Sequence, residues 1–253
     1  AQGWFLFPNI VPSVRFLSRD NGGRNGDPRQ VYLASVRPGS ASYVELGRSG
    51  KRNLAATIKD PFHGPLGDAI VRVVGEKHFE EKTLESGRFV LPNLDHPDGL
   101  VTLEVESEGY PLSWFTLPWK AHHKYSRPTL FAMEEGLVEE SLKSLRDVRW
   151  NHRYGVLMGG AESSLFSKSG KCVYVELLDD SGKKVDASHG PFPILGEHAP
   201  HEKDLCLTSQ QPGFSFLNLR SGEYVLRWVN EAGAAYRIHV VRVGMKRVSF
   251  VVN

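Results

Sequence analysis

His189, His198, His201, Glu202 and Asp204 fall within one short stretch of the chain, and imidazole and carboxylate are normal zinc ligands. His198-x-x-His201 with a neighbouring carboxylate is the tightest spacing among them. Two-residue patterns of this kind recur by chance, and Pro191, Pro193 and Pro200 punctuate the stretch, so a solvated loop with scattered histidines outweighs a metal centre. No metal and no cofactor are expected. A second group is aromatic: Trp114, Phe115, Trp119, His122, His123 and Tyr125. Flat exposed rings would stack on a sugar or a protein partner, and aromatic residues are enriched at interfaces. Alternation along a strand would bury about half of them, and packing between structural units is the weightier reading. The candidate binding residues are therefore Trp114, Trp119, His122, Tyr125, His189, His198 and His201. No Ser/His/Asp ordering, phosphate-binding loop or carboxylate pair in an apolar context stands out, and Ser163, Ser164 and Ser167 lie in a polar turn where serines belong. An enzyme is not expected.

Composition narrows the classes further. The chain has 253 residues, 40% hydrophobic and 24% charged, which is enough for two or three small domains of ordinary globular character. A formal net charge of +2 gives no electrostatic footprint for nucleic acid. No apolar run approaches the roughly 20 residues that span a bilayer, so the visible chain is not expected to insert into a membrane. It shows no basic segment leading into an apolar one, as expected of a processed chain or of a piece of a longer one.

The elements that would position these residues are strands. Leu54 to Asp60 and Asp68 to Gly75 read as two strands joined by a turn at Gly64-Pro65. Phe89 and Leu91 share one face of a strand, and Val101, Leu103 and Val105 alternate with Thr102, Glu104 and Glu106 as in a half-buried one. The unit recurs: Phe89-x-Leu91-Pro-Asn-Leu94 is echoed by Phe214-x-Phe216-Leu-Asn-Leu219 and by Phe5-x-Phe7-Pro-Asn-Ile10, each followed by a strand. Val36-Arg-Pro-Gly39 and Val241-Arg-Val-Gly244 form a further echo before final strands at Tyr43 to Leu46 and Val248 to Val252. Between the second and third copies, Val138, Leu142, Leu145 and Val148 fall at helical spacing, with Glu139 and Glu140 placed to meet Lys143. A packed linking helix outweighs a partner-binding one there.

The succession Asp60…Gly64-Pro65-Leu66…Ala69-x-Val71-x-Val73, Gly87-x-Phe89-x-Leu91-Pro92-Asn93-Leu94 and Val101-x-Leu103-x-Val105…Gly109-Tyr110 resembles the carboxypeptidase regulatory-like domain, a small β-sandwich related to transthyretin-like and starch-binding-like folds. The resemblance implies an all-β protein of tandem small antiparallel sandwiches, prealbumin-like or Ig-like, with one short linking helix. Residues 1–48 would be the second half of a first sandwich, 49–134 a second sandwich, 135–153 the linker, and 154–253 a third sandwich with an insertion at 179–204. Such modules are mostly non-catalytic appendages. His78-Phe-Glu-Glu81 has the His-x-x-Glu spacing of zinc carboxypeptidases but lies in a link between strands, without the catalytic domain those enzymes need.

The resemblance also sets the family register, which brings the strands of Cys172 and Cys206 close together. A disulfide there would imply an oxidising compartment; two buried thiols are the equal alternative. Some related pilin modules carry a Lys to Asn isopeptide bond, but Lys59 faces solvent by parity and 128–133 holds no Asn, so none is expected. The first copy starts at its midpoint, and upstream residues, strands from another chain or packing on a neighbouring repeat would each complete it. The insertion at 179–204 is the first candidate for a binding loop. The reading that follows is a non-catalytic extracytoplasmic protein of a bacterial envelope or surface (periplasmic, surface-bound or secreted) that binds another protein or itself. Carbohydrate binding is the alternative and a transthyretin-like hydrolase a distant third.

Overall fold

The computed structural model describes residues 14–19, 30–35, 49–76, 78–97, 99–119, 127–143, 145, 149–161, 166, 172–194, 205–233 and 235–252. The strands are β1 (Val14–Arg19), β2 (Gln30–Ser35), β3 (Ser49–Asp60), β4 (Gly64–Pro65), β5 (Ile70–Val73), β6 (Glu80–Lys82), β7 (Arg88–Pro97), β8 (Gly99–Glu106), β9 (Ser113–Trp119) and β10 (Thr129–Phe131). Helix α1 (Glu135–Lys143) leads to β11 (Gly155–Gly160), β12 (Tyr174–Leu178), β13 (Phe192–Pro193), β14 (Gly213–Leu219), β15 (Gly222–Val229), β16 (Ala235–Val243) and β17 (Val248–Phe250). β1 and β2 form a separate antiparallel pair. The motif copy at Phe5 to Ile10 and the strand expected at Tyr43 to Leu46 lie outside the described residues.

Two successive sandwiches share one design. β3 pairs antiparallel with β7, Leu54 opposite Leu91 and Ala56 opposite Phe89, just as β11 pairs with β14, Leu157 opposite Phe216 and Gly159 opposite Phe214. Both ladders slip at the same place, so that Pro92-Asn93 and Leu217-Asn218 each stand opposite one residue of the partner strand. These are β-bulges. Asn93 and Asn218 carry them with φ of 52° and 55°, the left-handed region that Asn tolerates far better than a branched residue. The asparagine of the repeated motif therefore has a backbone reason. Each unit adds a parallel closing strand beside its first one, β10 on β3 and β17 on β11, and a second sheet, β5-β8-β9 or β12-β15-β16. Gly87 is needed in the unit of β3 to β10: its φ is +71° and a Cβ there would sit 2.2 Å from the Ile58 carbonyl oxygen.

Three expectations change. The two runs around Gly64-Pro65 are not paired with each other: β3 belongs to one sheet and β5 to the facing one, with β4 folding back on Lys59 and Asp60 before the chain crosses. The alternation in β8 does not leave Thr102 in water. Thr102 and Thr116 are both buried on the outer face, 3.4 Å apart through their hydroxyls, because that face is covered near Arg242, whose N–H donates to Thr116 Oγ1. Finally, the strand expected at Cys206 is a single bridge, Leu207 opposite Val173.

The sandwiches are joined by a sheet. β17 lies parallel to β11 on one side and parallel to β9 on the other, so Phe250 faces both Met158 and Phe115. The result is one eight-stranded sheet, β13-β14-β11-β17-β9-β8-β5-β6. Strands with both faces covered read as near-continuous apolar runs, and Val156-Leu157-Met158 does so. Val156 and Met158 enter a core shared with the sandwich of β3 to β10, together with Phe192, Leu217, Val248 and Phe250, while Leu157 enters its own sandwich's core with Phe214, Phe216 and Trp228. Helix α1 contributes Val138 and Leu142 to the shared core, followed by Leu145. Its exposed face carries the Glu139–Lys143 ion pair at 2.9 Å. Val148, at the end of the expected helix, lies outside the described residues.

Candidate functional site

Trp114 and Trp119 stand five residues apart on β9, which places them on opposite faces of the sheet. Trp119 is 1% exposed and sits in the shared core. Trp114 is half-buried; its indole N–H donates to Glu104 Oε2 at 2.8 Å, and the Arg247 guanidinium lies over its ring at 5.6 Å. Arg247 Nε donates to the same Glu104 oxygen at 3.0 Å. Gly244 makes this packing possible, since a Cβ there would come within 2.8 Å of the ring. A ledge of two parallel exposed rings, which sugar stacking would need, is therefore not formed by this pair. The three side chains instead clamp β8, β9 and the β16–β17 turn across the joint. His122 and Tyr125 lie outside the described residues.

The insertion is built into the fold at its first half. Asp179 Oδ1 accepts from the N–H groups of Ser181 and Lys183 and from the Ser181 hydroxyl. These bonds, the hydroxyl's foremost, hold its carboxyl below the usual range. A 3-10 turn at Ala187–His189 follows, capped by Asp186, and β13 adds to the edge of β14 with Phe192 buried. His189 points back to the backbone: its Nδ1 lies 2.9 Å from the Leu217 carbonyl oxygen, beside the bulge. His198 and His201 lie outside the described residues, and among the described residues no three His, Cys, Asp or Glu side chains are arranged to hold a metal. Cys172 and Cys206 form a disulfide, with Cα atoms 5.2 Å apart, next to the Val173–Leu207 bridge.

A cluster that the spacing of residues did not reveal surrounds the turn after β3. Asp60 is buried, and its Oδ1 accepts from the N–H groups of Phe62 at 2.6 Å and His63 at 2.9 Å. Burial by itself would raise its pKa, but these bonds, the facing Tyr110 hydroxyl and the nearby His63 outweigh it and leave the carboxyl below its ordinary value. Tyr110 is pushed up to about 12 by burial first and then by the negative charge of Asp60. His63 Nδ1 sits 3.3 Å from Asp60 Oδ1 and 4.0 Å from Glu134 Oε2. Asp60 Oδ1 directs its bonds at backbone N–H groups of its own turn and so caps it. In sequence it is one acid among many, and only its burial distinguishes it.

That turn borders a groove of about 960 Å³ between the two sandwiches. Phe62, Phe131 and Met133 form one wall, and Met158, Gly160 and Val251 form part of the other. Among the described lining residues, which also include Thr208, Gln210 and Gln211, none carries a charge. Phe62 and Phe131 are 61% and 53% exposed, unusual for their size. Along the margin, β10 is the end strand of its sheet. The Pro128 carbonyl and Ala132 N–H bond to Thr57 and Lys59 of β3, so by alternation the N–H and C=O groups of Thr129 and Phe131 point away from it. Among the described residues no strand pairs with that edge.

No family model matches the chain, and no curated protein matches it. Among solved structures, it is similar to the Bacillus anthracis TIE protein, at 15% identity and a TM-score of 0.27 over 88% of this chain, and spans 37% of that protein's length. It is also similar to GBS52, the minor pilin of Streptococcus agalactiae, at 13% identity and a TM-score of 0.23, covering 79% of this chain and 94% of that one. The shaft pilin SpaA of Lactobacillus rhamnosus GG gives 11% identity and a TM-score of 0.22, covering 81% and 97%. Likenesses this distant place no residue of this chain in a functional role.

Proposed function

We propose that this chain is a non-catalytic structural and interaction protein of an extracytoplasmic compartment, on a bacterial envelope or surface, acting by binding another protein or copies of itself. The observation that carries the reading is the joint: β17, zipped between β11 and β9, makes two sandwiches one sheet with a shared core. Domains joined by a small polar contact move relative to one another, whereas a large apolar joint holds them rigid. Rigidity across a joint serves spacing and presentation. The Cys172–Cys206 disulfide supports the compartment, because structural disulfides persist where thiols are not kept reduced. Asp60 Oδ1 is committed to the backbone of its own turn.

The test combines fractionation and protease shaving of intact source cells with sedimentation velocity of the purified chain over a hundredfold range of concentration. The expected result is a surface-accessible, oxidised protein that self-associates or is captured by chemical cross-linking to one envelope protein. A reduced, cytoplasmic protein, or one without any partner in either assay, would overturn the reading.

A further inference from the structure

β1 and β2 pair with each other and with no third strand among the described residues, and two strands alone are at best marginally stable in water. Their stability must come from packing. The backbone of β2 approaches that of β8, with Cα atoms within 8 Å, although the two strands share no ladder. One edge of β8 is paired to β9 from Gly99 to Val105, and the other to β5 from Leu103 to Glu106 and to the Val74 N–H at Thr102. Its inner face, with Val101, Leu103 and Val105, is packed in the core of its own sandwich. The face left for β2 is the outer one, which carries Thr102 and Glu104 by alternation.

Thr102 shows that this face is covered. It is 1% exposed against 7% for Thr116, although Thr116 is the one that accepts from β16 through the Arg242 N–H. β16 lies against β9, the strand of Thr116, whereas β2 lies against β8, the strand of Thr102. Stacked sheets ordinarily sit about 10 Å apart, and small side chains such as Thr102 and Thr116 permit the closer approach. We infer that the outer face of β8 around Thr102 is the seat of the β1–β2 pair, and that the half repeat holding these strands is completed there, as a third layer on the next sandwich. The inference goes beyond the functional reading and is independent of it. A first repeat completed within the chain needs no strand from a neighbour, so association between chains would use another surface.

The experiment uses the full chain and reads native-state amide exchange by mass spectrometry at two protein concentrations. β1 and β2 should be protected at least about tenfold over an unstructured reference, equally at both concentrations. Thr102→Arg places a charge beneath the pair and should raise exchange in β1 and β2 about tenfold while β3 and β7 stay protected. Val90→Arg, at a 47% exposed position of the facing sheet, is the control and should leave β1 and β2 unchanged. Unprotected strands in the unsubstituted chain, or unchanged exchange in a folded Thr102→Arg chain, overturn the inference. Where Thr102→Arg also exposes β3 and β7, a second set of chains decides: Thr102→Cys combined with Val31→Cys, Tyr32→Cys or Leu33→Cys, the native disulfide left in place. Mild oxidation and digestion without reductant should join position 102 to at least one of the three within one chain. No link in any of them overturns the seat, and links found only between isotope-labelled and unlabelled chains overturn completion within the chain.

Discussion

Phe250→Ala tests whether the two sandwiches are one body. Phe250 is 7% exposed, its ring stacks on fully buried Phe115 with centroids 5.6 Å apart, and its strand is paired on both sides. Truncating a buried Phe removes its transfer free energy and leaves a cavity, together about 3 to 5 kcal/mol. For a cooperative unit of this size that lowers Tm by roughly 6 to 20 °C, at about 2 to 4 °C per kcal/mol. If the joint is a shared core, the unsubstituted protein melts both sandwiches in a single transition. The variant should then lose amide protection in β9 and β11 together, although these strands belong to different repeats. Guanidinium titration followed by far-ultraviolet dichroism gives the free energy, and exchange read by mass spectrometry gives the location. A cost under about 1 kcal/mol, or lost protection in β11 alone, would refute the shared core, because the ring would then contribute only locally.

Replacing Cys172 and Cys206 by Ser opens a loop of 34 residues, which in the chain-entropy model removes about 4 kcal/mol; denaturant unfolding with and without reductant checks it, and the double variant should ignore the reductant. Asn218 holds a left-handed φ of 55°, accepts from Asn151 N–H at 2.7 Å and donates to the Arg149 carbonyl at 3.0 Å. Asn218→Ala loses both bonds and adds strain, about 2 to 4 kcal/mol, while Asn218→Gly relieves the strain and should cost at least about 1 kcal/mol less; the reverse order in thermal melts would count against the bulge argument. Asp60 titrates below its ordinary value, so its stabilisation is complete above the unfolded pKa near 3.9 and disappears as pH falls through the lower folded value. Stability of Asp60→Asn, measured in urea across that acid range, should fall less steeply than that of the unsubstituted chain; parallel curves would mean the carboxylate is not held as described.

The strands were legible in the sequence wherever one face is buried and the other wet, as in Val71 and Val73 of β5. The repeated Phe motif pointed to equivalent strands in both sandwiches, and the structure adds the bulge that its asparagine serves. Reading failed where a strand's second face is covered by distant chain. Thr102 looks solvent-facing from alternation alone and is buried because Thr116 and Arg242 cover it, a contact spanning 126 residues. For the aromatic cluster, alternation already weighed packing between units above an exposed ledge, and five residues of extended backbone put Trp114 and Trp119 on opposite faces, with Trp119 in the shared core. The Asp60 turn and the groove escaped detection because both depend on burial and on two repeats meeting, neither of which local spacing reports.

The joint also accounts for a pattern that a string of independent sandwiches would not need. A strand at the edge of a sheet presents unpaired backbone groups, and natural edges are kept short, charged or covered. β9 has Ser-Trp-Phe-Thr-Leu-Pro-Trp, with no charge, and β11 has Gly-Val-Leu-Met-Gly-Gly, also with none. As free edges both would be sites of association. Placing β17 between them consumes one edge of each, and its Val248 and Phe250 fill the space beneath while Ser249 is left buried on the other face. β10 is the counterpart of β17 and has no such second neighbour among the described residues, yet it too is uncharged, Thr-Leu-Phe, with its Phe lining the groove between the sandwiches.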